Sequence, residues 1–67
     1  MKEYIFRIVW DNSYAPSCLM KEYSDQYSRL SSYEITVLDS SCKSAIKKAT
    51  DFINNRTNGE KFELIPK

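Results

Sequence analysis

Between Tyr33 and Ile53 the chain changes its period. Tyr33-Glu34-Ile35-Thr36-Val37-Leu38 places Tyr33, Ile35 and Val37 on one face and Glu34, Thr36 and Leu38 on the other. After Asp39-Ser40-Ser41, the apolar residues Cys42, Ala45, Ile46, Ala49, Phe52 and Ile53 recur every three or four positions. A period of two belongs to a half-buried strand and one near 3.6 to an amphipathic helix. The stretch therefore predicts a strand that runs through a short connection into a helix. Asp39, Ser40 and Ser41 can all cap its free amides, and Ser40 is the expected N-cap, within one residue. Small Ala45 and Ala49 let the helix approach a sheet closely, with Phe52 filling the space at one end. Lys43, Ser44, Lys47, Lys48 and Asp51 occupy the outer side.

Two further strands are legible. Glu3–Trp10 is dense in β-branched and aromatic residues; Tyr4, Phe6, Ile8 and Trp10 share one face, Ile5, Arg7 and Val9 the other. Asp11-Asn12-Ser13 then supplies turn chemistry, since short polar side chains bond their own backbone there. At the far end, Asn54–Gly59 predicts a turn containing the chain's one glycine. Glu60–Ile65 alternates Phe62 and Leu64 against Lys61 and Glu63, a final edge strand terminated by Pro66.

The segment from Ser13 to Ser32 lacks a strict period. Leu19, Tyr23, Tyr27 and Leu30 trace steps of four, four and three, and Pro16 suits a first helical turn, so residues 16–28 are read as helix. A strand over Cys18–Ser24 paired with the first strand, and a mobile functional loop, remain as alternatives. The expectation is one α+β domain spanning 1–67: a three-stranded, mainly antiparallel sheet of order β-(α)-β-α-β, with the C-terminal amphipathic helix packed on one face. Tyr4, Phe6, Ile8, Trp10, Tyr33, Ile35, Val37, Phe62 and Leu64 would form the core against that helix. Ile5, Val9, Leu38 and Ile65 would lie on the back among Arg7, Glu34, Thr36, Lys61 and Glu63. Only residues 13–32 would be available to cover that back face.

A chain of 67 residues is near the lower limit for one unstapled core, so a partner or a second copy would add stability. Ten Lys and Arg against nine Asp and Glu, net +1, argue against a protein whose affinity comes from neutralising phosphates. The chain lacks a membrane-length apolar run and a signal-peptide pattern at Met1-Lys2-Glu3, so no membrane association is expected and a cytoplasmic location is. Cys18 and Cys42, without any histidine, do not offer the usual zinc spacings. They are read as two buried thiols, with a single disulfide left open.

Catalysis is not expected, nor a cofactor or metal. The chain has no histidine, neither cysteine has a recognisable activating base, and no glycine-rich loop is available to cradle a phosphate. The five tyrosines carry more information, because amphipathic aromatics concentrate at interfaces. Tyr14, Tyr23 and Tyr27, with Met20 beside them, are the candidate partner-binding residues. Tyr23 and Tyr27 could equally pack a first helix onto the sheet. Lys43, Lys47 and Lys48 line one side of the helix, extended by Arg56, and form a candidate site for an acidic or phosphate-bearing partner. On most small domains such a side is simply solvated, and Lys43 and Lys47 repel each other near the positive end of the helix dipole.

The strand, cap and Ala-rich helix Ser41-Cys42-Lys43-Ser44-Ala45-Ile46-Lys47-Lys48-Ala49, followed by a short last strand, resembles very small phage-encoded accessory proteins that inhibit or redirect host enzymes. The resemblance covers residues 33–65, is architectural, and transfers no functional residue. It implies a protein-binding role, such as inhibition or modulation of a bacterial host enzyme or defence protein. The leading expectation is thus a protein-interaction module using residues 13–32 and an exposed edge or back face of the sheet, with a homodimer through the same patch as its companion. The alternative is a nucleic-acid or nucleotide binder that stacks bases on its aromatic rings while Lys43, Lys47, Lys48 and Arg56 meet phosphate.

Overall fold

The computed structural model describes all 67 residues. Strand β1 (Lys2–Trp10) is followed by a single 3-10 turn at Ser17–Leu19. The chain continues through β2 (Tyr23–Ser24), β3 (Ser28–Leu30), β4 (Glu34–Asp39), helix α1 (Cys42–Thr57) and β5 (Phe62–Pro66). The strands form one antiparallel sheet of order β2-β3-β4-β1-β5. Strands β4 and β5 both pair antiparallel with β1 from opposite sides, so they run in the same direction and α1 crosses over β1 to connect them. The α+β class, the three readable strands and the helix on one face match expectation. The sheet has five strands, not three.

The difference lies in residues 13–32. Pro16, at φ −58° and ψ 143°, leads into helical geometry that lasts one turn, with Leu19 N donating to Pro16 O at 2.9 Å. The expected helix over 16–28 does not form. Asp25 competes with it locally: its Oδ1 accepts from the amides of Tyr27 (2.8 Å) and Ser28 (2.7 Å), while Asp25 N donates to Ser28 O at 2.8 Å. These bonds reverse the chain into a β2–β3 hairpin in which Tyr23 faces Leu30 and Ser24 faces Arg29. The alternative strand over Cys18–Ser24 is corrected as well, since only Tyr23–Ser24 is extended and it pairs with β3 instead of β1. Three of the four positions in the 4-4-3 spacing are inward, with Leu19 and Leu30 in the core and Tyr23 packed against it, whereas Tyr27 is exposed on the opposite face. The pairing of Tyr23 with Leu30 puts these two on one face of a short hairpin, as a helix would, but leaves Tyr27 out of it.

The core comprises Phe6, Ile8 and Trp10 of β1, Leu19, Leu30, Ile35 and Val37, and Ala45, Ala49, Phe52 and Ile53 of α1. Trp10 meets Phe62 edge-on at 5.6 Å, and its Nε1 donates to Ser32 O at 2.7 Å, pairing the polar end of a buried ring. Tyr33 leaves the expected core set. It precedes β4 and is 51% exposed, with its hydroxyl oxygen accepting from Ala15 N at 3.3 Å. The buried stripe of α1 is also narrower than its spacing suggests. Cys42 and Ile46 are exposed and Thr57 is buried, because the helix leans on β4 and the 3-10 turn, away from β5.

Ser41 is the N-cap, one residue past the expected Ser40; its hydroxyl accepts from Ser44 N at 3.2 Å. Asn58 closes the helix in the left-handed conformation at φ 54°, followed by Gly59 at φ 81°. Both thiols are exposed and unpaired, which corrects their assignment to the core. In the 3-10 turn Leu19 takes the inward position, leaving the Cys18 thiol outside to donate to Arg56 O at 3.2 Å.

Candidate functional site

Helix α1 covers one side of the sheet, and the back is uncovered. The β2–β3 hairpin widens the sheet beside β4, so residues 13–32, the one segment available to cover that back face, add no second layer there. Strand register places the back-face side chains in rows. Tyr27 stands beside Leu38, which faces Glu3; Arg29 faces Thr36, which faces Ile5; Glu34 faces Arg7, which faces Ile65. Tyr27 O accepts from Leu38 N at 2.8 Å, which extends the β3–β4 ladder to this row.

The hairpin and the sheet border an open groove of about 500 Å³. Ile5, Leu38 and Tyr27 are its apolar residues. Four carboxylates, Glu3, Glu22, Asp25 and Glu34, line it against one guanidinium, Arg29. Glu22 pairs with Arg29 at 3.8 Å and Glu34 with Lys67 at 2.6 Å, both at exposed positions where an ion pair constrains little. The groove thus holds three apolar residues in an otherwise polar lining, where carboxylates outnumber the one guanidinium.

The four candidate partner-binding residues separate. Tyr27, 43% exposed, lines the groove. Tyr23 is half-buried on the opposite side of the sheet, its hydroxyl donating to Cys18 O at 3.1 Å. Tyr14 and Met20 are exposed, at 77% and 83%, outside the groove. Ile5, Leu38, Glu3 and Glu22 were not singled out as site residues from the sequence. The signal was present for the first two, as apolar residues on the less apolar faces of alternating strands.

The basic candidates also divide. Arg56 is held inside the fold: its guanidinium lies 3.6 Å from the centre of the Phe52 ring and 5.5 Å from that of Tyr23, and Nη1 donates to Phe52 O at 3.2 Å. Lys48 pairs with Asp39 at 3.5 Å. Lys43 and Lys47 remain exposed and without an ion-pair partner. Asp39 is buried at the end of β4, where the Ser44 hydroxyl and the Ser40 amide, with Lys48 nearby, hold its carboxyl below the usual carboxylate range. Its Oδ1 accepts from Ser40 N at 2.6 Å, which joins strand end to helix start.

No group of three or more Cys, Asp or Glu side chains is placed to hold a metal ion. No helix is long and apolar enough to cross a membrane. Compared with protein-family models, curated proteins and solved structures, the chain matches none.

Proposed function

We propose that this chain is a protein-interaction module whose back-face groove takes a partner segment carrying apolar residues flanked by basic ones. One observation carries the reading: Tyr27, Leu38 and Ile5 lie together on an uncovered sheet face edged by four carboxylates. Contiguous apolar surface with a charged edge is characteristic of interaction sites, and like charge keeps anionic ligands away from it. The same carboxylates weigh against nucleic acid in this groove. On the helix side Arg56 is held within the fold and the exposed Lys48 is paired with Asp39, so Lys43 and Lys47 are the lysines without an ion-pair partner, a small electrostatic footprint. Inhibition or modulation of a bacterial host enzyme or defence protein, the role implied by the architectural resemblance, belongs to this same proposal.

Affinity capture from a lysate tests it with three baits: wild type, the Tyr27→Ala/Glu3→Lys variant, and the Lys43→Glu/Lys47→Glu variant. A partner retained by wild type and the lysine variant, lost by the groove variant and weakened by salt, is the expected result. Retention by the groove variant with loss in the lysine variant would reject the groove and favour the helix side.

A further inference from the structure

Strand β5 ends the sheet opposite the hairpin, and its outer edge is unpaired. Asp11 N donates to Lys61 O at 3.1 Å and Lys67 N to Ile5 O at 3.0 Å, so the odd-numbered residues of this segment direct their backbone groups at β1. In an antiparallel ladder the alternate residues point the other way. Phe62 and Leu64 therefore present free N–H and C=O groups at the edge. Because α1 leans toward β4, an open groove of about 540 Å³ lies beside this edge, lined by Ile46 and Thr50 of the helix and by Phe62 and Leu64.

We infer that this edge takes a second copy of the chain, β5 pairing antiparallel with β5 about a two-fold axis. Such an interface uses the same patch twice and must be self-complementary, and the charges of β5 together with the missing N–H of Pro66 select one register. With the axis at Glu63, that carboxylate would face its own copy. With the axis at Leu64, Phe62 would face Pro66, which has no N–H to donate, and Lys61 would face Lys67. With the axis at Phe62, Lys61 faces Glu63 of the partner subunit and Glu63 faces Lys61 of the partner subunit. These are pairs without backbone bonds between them, the type in which side chains approach closest. In this register Phe62 meets its own copy across the axis, and Leu64 is opposite Glu60 of the partner subunit. Pro66 falls beyond the paired segment. Both helices lie on one side of a continuous ten-stranded sheet, closing the apolar groove between them, while the back-face groove beside the hairpin stays open.

Sedimentation equilibrium on the full chain is expected to give twice the 7.9 kDa chain mass at high concentration. The Phe62 and Leu64 amides should exchange more slowly as concentration rises. Lys61 and Glu63 are exposed, so reversing either leaves the fold intact, which circular dichroism verifies. Lys61→Glu or Glu63→Lys turns both symmetric pairs into like-charge pairs and is expected to weaken association roughly tenfold. The Lys61→Glu/Glu63→Lys double variant should restore it. A monomer at millimolar concentration, including one that binds an unrelated extended peptide at β5, overturns the inference. So does a dimer that the double variant fails to restore, or one in which the Phe62 and Leu64 amides exchange freely.

Discussion

Substitution of Arg56 by lysine separates a residue kept for its charge from one kept for its shape. The guanidinium stacks on Phe52, reaches Tyr23, and donates to the Phe52 carbonyl near the C-terminal end of α1. It thereby ties the helix to the hairpin that carries Tyr27. Lysine preserves the positive charge and removes the plane and the fork of donors. Each cation–π contact at a partly exposed site contributes about 0.5–1 kcal/mol, and a hydrogen bond from a charged donor about 1 kcal/mol after discounting for solvent. Arg56→Ala should therefore cost about 2 kcal/mol, and Arg56→Lys about 1 kcal/mol, since a flexible ammonium recovers part of the interaction. In a domain of this size each kcal/mol lowers the melting temperature by about 4–8 °C. Thermal unfolding followed by Trp10 fluorescence and circular dichroism measures the loss. A double-mutant cycle of Arg56→Ala with Tyr23→Leu isolates the contact between helix and hairpin, with an expected coupling of about 0.5–1 kcal/mol. Equal melting of wild type and Arg56→Lys, together with zero coupling, would refute the clamp and return Arg56 to the pool of free surface charge.

Three other outcomes follow from the fold. Ala49 is fully buried where α1 meets the sheet, so Ala49→Asp strands a carboxylate in the core and should abolish the cooperative unfolding transition. The Asp39 carboxyl is held below its ordinary value in the folded chain, so its contribution is complete above the unfolded carboxylate range and is lost as pH falls through the lower folded value. Melting temperature should therefore drop on acidification through that window, and the drop should be shallower in Asp39→Asn; identical slopes would exclude the group as a source. Cys18 and Cys42 are both exposed and free, so two thiols per chain should react with a water-soluble disulfide reagent without denaturant, where buried or paired cysteines would not react.

What could be read from the sequence was what has a period. The alternation of Tyr4, Phe6, Ile8 and Trp10, and the stripe through Ala45, Ala49, Phe52 and Ile53, each determine which side chains share a face, so those elements and their buried sides were legible. The hairpin was not, because β2 has two residues and β3 three, too short for a period to emerge. Its turn depends on one side chain, Asp25, satisfying two amides. Ile46 and Cys42 show the other limit. They lie at the margin of the helical stripe, and only the lean of the helix toward β4 determines that they are exposed. The groove combines both cases. Ile5 and Leu38 could be assigned to the back face from alternation, whereas Tyr27 and the surrounding carboxylates are brought beside them by a strand order that no local pattern encodes.

The role of that uncovered face is tested most directly by mapping amide chemical shifts of the labelled chain as the captured partner is added. The expected result is a set of changes centred on Glu3, Ile5, Tyr27, Thr36 and Leu38, weakened by salt and absent in the Tyr27→Ala/Glu3→Lys variant. Changes confined to the Lys43 and Lys47 side of α1, with the back face unmoved, would contradict it.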